Sequence, residues 1–325
     1  MKTRVLVAVA GIVVLVAAAA VYVGMAAAHS RDDAATGTVS LTPGPRLLVR
    51  STADGSRGHL VTVSAADPGG ARTVSPVTCA RVYAAGGTGL CLRQDGDLTT
   101  YQLAVLNSGL VSQREIPLVG LPNRARVSPS GRMVAWTVFV TGDSYNGGTF
   151  STRAGILDTQ TGELAASLED YAVTLAGKPH HAVDLNFWGV TFARDDHTFY
   201  ATMSTAGHRY LVRGDFRTHT VVSLRENVEC PSLSPDETRI AFKSAIGDDP
   251  NKGWRLSVLD LASGRVTPLA ETRSVDDQAA WLDNRSVAYG IPRGTQHSDV
   301  WTVPADGSGV PRVLVPDAES PAALS

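Results

Sequence analysis

Apolar residues in this chain come in short runs separated by turn signals, and one stretch carries the whole pattern. Residues 229–233, Glu-Cys-Pro-Ser-Leu, end a short strand. Ser234, Pro235, Asp236 and Glu237 then turn the chain. Proline presets φ for such a turn, and aspartate accepts from nearby backbone N–H groups. Residues 239–244 return as a second strand, 254–261 make a third, Ala262-Ser263-Gly264 turns, and 265–269 make a fourth. One four-stranded antiparallel sheet in about forty residues is the size of a propeller blade.

The same pattern can be laid on the chain repeatedly. Val127-Ser-Pro-Ser-Gly131 with Arg132-Met-Val-Ala-Trp136 copies the first hairpin, and Asp158-Thr-Gln-Thr-Gly162 copies the later turn. Further copies open at Phe192, Trp281 and, less regularly, Val82. Strands such as Ile240-Ala241-Phe242 are apolar on both faces, which suits stacked sheets better than a half-solvated one. Residues 46–76 lack a first strand, and residues 317–325 resemble a first strand without its turn. The C-terminus therefore supplies the missing strand and closes the ring, leaving no open edge. The expected fold is all-β, a six-bladed β-propeller, with blades at 46–76 plus 317–325, 77–120, 121–170, 186–226, 227–272 and 273–316.

The Ser-Pro-Asp-x-x-x-Ile-Ala-Phe hairpin at 234–242 and the Asp-Leu-x-x-Gly turn at 260–264 resemble the repeats of TolB-like propellers. The resemblance covers 46–325 and implies an extracytoplasmic module of a bacterial envelope. It further implies a protein or cell-envelope component as partner, and no cofactor. The Ala-, Gly-, Val- and Arg-rich composition resembles that of actinobacterial chains.

The N-terminus adds an address. Residues 1–4 are a basic head, and residues 5–28 are 24 residues without a charge. A membrane-spanning helix needs about 20 apolar residues and a signal-peptide core about 7–15. Length favours a retained transmembrane anchor, and Ala26-Ala27-Ala28 before His29 leaves a cleaved signal open. In either case the basic head stays inside and the propeller lies outside the cytoplasmic membrane. Residues 29–45, small and polar, read as a flexible linker. Formal net charge is −2. No basic run of five residues occurs, which argues against a nucleic-acid partner.

Candidate chemistry follows from blade topology. First-to-second and third-to-fourth turns are tight and share one face. Long loops at 141–150, 171–185, 245–253 and 291–298 fall on the other, where blade connections also run. Alignment at Leu233 puts Glu229, Asn123, Trp188, Asp277, Thr78 and Ser320 at the channel mouth on this elaborated face, with Asp184 and Asp276 nearby. These residues, with His180 and His181, form the candidate binding face. Carboxylates there suit a cation or a basic peptide. The bland alternative is that they bond backbone N–H groups or face water. Arg81 and Arg126 align with Ser232 and suit either an anion or pairing between strands. Adjacent histidines on an extended chain point to opposite sides, so His180 and His181 do not share one ion, and no metal site is expected. No Gly-x-Ser-x-Gly elbow, His-Glu-x-x-His or phosphate loop occurs, so no catalytic residue is assigned. The competing reading is a small-ligand or cation binder, or a hydrolase-type enzyme, working at an acidic channel mouth.

Three cysteines fit an oxidising compartment. In a hairpin, opposed residues have a constant sum, and Cys79 and Cys91 centre on Ala85 beside Gly86-Gly87. They are expected to face each other and form a disulfide, the alternative being two buried thiols. Cys230 aligns three blades away and is expected to be a buried free thiol.

Overall fold

The structure is a computed structural model that describes residues 38–96, 100–140 and 151–324. The basic head and the apolar run at 5–28 lie outside these residues, as does the loop at 141–150. Among the described residues no helix is long and apolar enough to cross a membrane.

Among the described residues six sheets make up the fold, antiparallel except for one pair of strands in blade 4. Blade 1 comprises Arg46–Ser51, His59–Ser64 and Arg72–Thr78, with Ala318–Ala323 as its innermost strand. Blade 2 is Arg81–Ala85, Thr88–Gln94, Tyr101–Leu106 and Ser112–Leu118. Blade 3 is Leu121–Val127, Met133–Val140, Ser151–Asp158 and Leu164–Ala165. Blade 4 is Asn186–Phe192, Thr198–Thr205, His208–Asp215 and Thr220–Glu226. Blade 5 is Glu229–Leu233, Arg239–Ala245, Trp254–Asp260 and Val266–Pro268. Blade 6 is Ala280–Trp281, Ser286–Arg293, His297–Pro304 and Arg312–Val315.

The ring closes where the last strand meets the first strand of the described residues. Leu47 opposes Ala323 and Ser51 opposes Ala318, so the last strand pairs antiparallel with the first. Apolar burial explains why closure is required. The core divides into six clusters, each shared by two neighbouring blades. Leu47 and Val49 of blade 1, for example, pack on Ala288 and Val300 of blade 6. Every sheet buries both faces, which is why its strands are apolar at successive positions.

The turns follow their sequence chemistry. In blade 5, Asp236 accepts from the Thr238 N–H and from the Ser234 and Thr238 hydroxyls. Partial burial alone would raise its pKa, but these bonds pull the carboxyl down to about 2. Asp260 accepts from Ser263, Asp158 from Gln160 and Thr161, and Asp306 from Ser308. Turns of adjacent blades also bond to one another. The Ser130 hydroxyl donates to Asp196, the Arg194 N–H to Glu237, and the Asp236 N–H to Asn284.

Three expectations need correction. First, order begins before Arg46. Val39 and Leu41 are buried between blades 1 and 2, and the Leu41 N–H donates to the Ser108 carbonyl at 2.8 Å. Leu41 fits because Gly89 lies against it; a Cβ there would come within 2.6 Å of the leucine. The alternating Val39 and Leu41 bury themselves, so the linker is shorter than 29–45. Second, residues 171–185 are not a plain loop. Ala172–Leu175 and Lys178–His180 form a hairpin that widens blade 4 to six strands, with Ala172–Leu175 parallel to Thr220–Glu226. Third, most of 291–298 continues the blade 6 hairpin, pairing as far as Arg293 with His297. Residues 245–253, by contrast, hold two short 3₁₀ turns.

Cys79 and Cys91 form the disulfide, with Cα atoms 5.5 Å apart, though not as directly opposed partners. The hairpin turns at Gly86-Gly87 with Ala85 opposite Thr88, so Val82 opposes Cys91. Cys79 lies in the connection ahead of that strand, held by its N–H to Gly58. The bond therefore ties the blade 1–2 connection to the second strand of blade 2. Cys230 is free and buried.

Both the disulfide and the docked segment can be tested. Cys91→Ser is expected to lower stability by about 2–3 kcal/mol in urea denaturation. Mass-spectrometric thiol counting on unreduced, unfolded protein is expected to find one thiol. Leu41→Ala is expected to cost about 2–4 kcal/mol, as for a buried leucine. A change below a few tenths would show that the segment does not dock.

Candidate functional site

The innermost strands surround a central channel, and a recurrent backbone irregularity sets what points into it. In blade 5, Glu229 opposes Lys243, but Ser232 opposes Ala241, so a bulge falls at Cys230 and Pro231. Cys230 has φ of 49° and donates its N–H to the Thr202 hydroxyl at 2.8 Å. Blade 4 repeats the device between Trp188 and Thr191, with Gly189 at φ of 65° donating to Thr137. Blade 1 repeats it between Glu319 and Ala322, with Ser320 at φ of 53°. Bulges re-aim the adjacent side chain. Glu229, Trp188 and Glu319 thus occupy equivalent positions. The register moves Glu319, rather than Ser320, into the place assigned from sequence. Thr78 ends the outermost strand of blade 1, away from the channel.

Glu229 is buried, with 3% of its surface exposed. Burial pushes its carboxyl up to about 7, although Lys243, Arg209 and the Trp188 indole N–H all favour the carboxylate. Arg209 Nε lies 2.9 Å from Oε1, off the line of a hydrogen bond. The Lys243 ammonium pairs with Asp276 and lies 4.1 Å from the Trp254 ring centroid. Asp276 is exposed at the mouth, and its pKa is lowered, burial by surrounding protein being outweighed by Lys243, Arg124 and Arg81. Asp277 accepts from the Gly290 N–H at 2.9 Å. Glu319 pairs with Arg50 at 2.9 Å and Arg81 at 3.9 Å. Each acid at the mouth therefore has a cation or backbone donor, and the mouth is not an open acidic patch.

Below the mouth the channel is filled by side chains. Arg124 of blade 3 reaches the Asp276 carbonyl at 3.3 Å, and Arg126 reaches the Ala279 carbonyl at 3.1 Å, both on the opposite side of the ring. Gln278 donates to carbonyls of Val190 in blade 4 and Pro231 in blade 5. One small space near the axis, about 30 Å³, is lined by Asn123 and Asp277 among others, roughly room for one or two waters.

Of the candidate residues, Glu229, Trp188, Asp276, Asp277 and Asn123 gather around the channel. Asp184 and His180 gather elsewhere, at the Thr205–Ala206 turn of blade 4. Asp184 accepts from Thr205 at 2.8 Å and Ala206 at 2.6 Å, and His180 Nε2 lies 3.1 Å from the same hydroxyl. The Ala206 N–H is the main cause of the lowered Asp184 pKa. His181 is exposed. Among the described residues no group of three or more metal-ligating side chains forms a metal site. Sequence reasoning missed Lys243, Arg209, Arg124 and Trp254. Only Arg124 carried a signal: it alternates with Arg126 along one strand.

Glu229 gives the mouth a pH dependence. A carboxyl whose pKa rises from its ordinary 4.5 to about 7 on folding binds more protons folded than unfolded between those values. Stability from this group is present below pH 4.5, falls as pH rises to 7, and is then lost. The shift corresponds to roughly 3 kcal/mol. Urea denaturation of wild type and Glu229→Gln at pH 5 and pH 8 is expected to show the variant gaining about that much relative to wild type at the higher pH. An unchanged difference would mean that Glu229 stays ionised throughout.

No protein-family profile matches the chain, and no curated protein matches its sequence. Solved structures do. TolB from Acinetobacter baumannii superposes with a TM-score of 0.61 at 16% identity, over 86% of this chain and 67% of that one. A putative TolB from Agrobacterium tumefaciens gives 0.51 at 12%, over 85% of this chain and 90% of that one. A puromycin-hydrolyzing peptidase from Mycobacterium tuberculosis gives 0.47 at 13%, over 86% and 52%. At such identities the likeness is one of fold alone: this chain is a six-bladed propeller, similar in fold to the two TolB structures.

Proposed function

We propose that this chain is a non-catalytic binding module, tethered outside the cytoplasmic membrane by residues 5–28, that engages a protein or cell-envelope polymer through its connection face. The observation that carries this reading is the contrast between the filled channel and the surface around it. Arg124, Arg126 and Gln278 cross the channel, and the space beside the two arginines is only about 30 Å³. Around the mouth, Val119, Leu121, Val183 and Ile246 are 75%, 54%, 83% and 40% exposed on blade connections and on a loop between second and third strands. A cleft of about 470 Å³ opens on the same face between blades 1 and 6, walled by Arg50, Arg57, His297 and Glu319. Apolar side chains beside polar, paired groups are the composition of a docking surface.

Topology supports the orientation. Leu41 bonds the Ser108 carbonyl in the third-to-fourth turn of blade 2, and Gly44 bonds Leu324. The chain thus enters, and the last strand leaves, on the turn face. A tether attached there points the connection face away from the membrane. The reading as a small-ligand, cation or hydrolase site draws no support from the channel, where the acids are already paired.

The test is site-specific photo-crosslinking in intact envelopes. A crosslinker at position 183 or 119 is expected to capture a partner, and one at Val310, 77% exposed on the turn face, is not. Val183→Glu with Val119→Glu is expected to weaken capture tenfold or more without changing the fold by circular dichroism. Equal capture from position 310 would overturn the reading.

A further inference from the structure

The channel contains more buried positive charge than its acids neutralise. Arg124 and Arg126 are 8% and 4% exposed. Arg124 has Asp276 at 3.7 Å, a carboxylate it shares with Lys243, and the nearby Asp277 adds further opposite charge, leaving Arg126 as the guanidinium without a carboxylate partner. Arg126 has, among the described residues, one carbonyl and the face of Tyr83, 4.2 Å from its guanidinium carbon to the ring centroid. The Nε–H of each arginine is buried without an acceptor. Two buried donors without acceptors are uncommon, and a buried guanidinium without a counter-charge is costly. Both side chains line the same small axial space, with Arg81 and Asp277 also on its wall, the Asp277 carboxylate being engaged by the Gly290 N–H.

We propose that this space binds a monatomic anion the size of chloride between Arg124 and Arg126. Water would satisfy the N–H groups but leave the charge, whereas an anion answers both. The volume, about 30 Å³, selects against polyatomic anions such as sulfate. The Tyr83 ring covers one face of Arg126 and leaves the guanidinium edge for the ligand. The site would act as a counter-ion that holds the innermost strands of blades 3 and 6 together, because the two arginines already span to the Asp276 and Ala279 carbonyls.

Bromide is the probe. Crystals of the intact chain grown with sodium bromide are expected to show an anomalous peak on the channel axis within about 3.5 Å of an arginine nitrogen, the range of a charge-assisted contact. In parallel, the melting temperature is expected to rise by several degrees from sodium gluconate to sodium chloride at equal ionic strength, and not from gluconate to sulfate. Arg126→Gln is expected to abolish the chloride increment. A channel without an anomalous peak overturns the proposal even if the variant fails to fold. So does a melting temperature indifferent to chloride, or a chloride increment retained in Arg126→Gln.

Discussion

Each sheet in this protein is apolar on both faces, and that one constraint dictates the closed ring and most of its chemistry. A sheet with two buried faces needs a neighbour on each side, so the row of sheets must end in a liability or join itself. Here it joins itself. Ala318–Ala323 pairs with Arg46–Ser51, and blade 1 becomes a neighbour of blade 6 as well as of blade 2. The small side chains Ala318, Ala322 and Ala323 suit this position, because the innermost strand sits where blades converge and space is least. The closing strand contributes register more than bulk.

Convergence also explains the chemistry at the centre. Six strands that meet around an axis cannot all direct large apolar residues inward. Bulges at Cys230, Gly189 and Ser320 relieve the crowding and rotate Glu229, Trp188 and Glu319 toward the mouth. Long side chains from one blade then cross to another: Arg124 and Arg126 to blade 6, Gln278 to blades 4 and 5. These crossings brace the ring across its diameter, where the turn-to-turn bonds brace it along the rim. Buried ionic groups are weak contributors to net stability. Their geometric effect is clearer: a side chain that spans the channel fixes the separation of opposite blades.

The repeat was legible because each turn carries its own chemistry. Asp236, Asp260, Asp158 and Asp306 cap their turns whatever surrounds them, so local residues announce local structure. The site was legible only in part, because bulges break residue counting. Leu233 opposes Ile240, and counting on would set Ser244 against Glu229; the bulge sets Lys243 there instead. The ion-paired partner of the main candidate was therefore hidden by one residue. The disulfide shows the converse. The pairing inferred from a symmetric hairpin is present, but the hairpin turns elsewhere and the bond reaches back into a connection. Pro231 and Pro321, each just inside a bulge, were the readable hints, since proline has no N–H for the ladder and within sheets sits on edge strands or at bulges.

The two faces differ for a topological reason. Turns within a blade are short because they join hydrogen-bonded neighbours, and they bond to the turns of adjacent blades. That face has little freedom, and it also receives both ends of the described chain, with Leu41 wedged against Gly89 and Gly44 bonded to Leu324. Connections on the other face must travel from an outermost strand to the next innermost one, so they absorb extra residues at small cost in loop entropy. The added hairpin at Ala172–Leu175 and Lys178–His180 is such an addition, and the 3₁₀ turns after Ala245 lengthen a second-to-third loop on the same face. Variation therefore accumulates opposite the face of the tight turns. An elaborated surface on a rigid ring, opposite the face where Leu41 and Leu324 lie, follows from strand connectivity before any partner is considered.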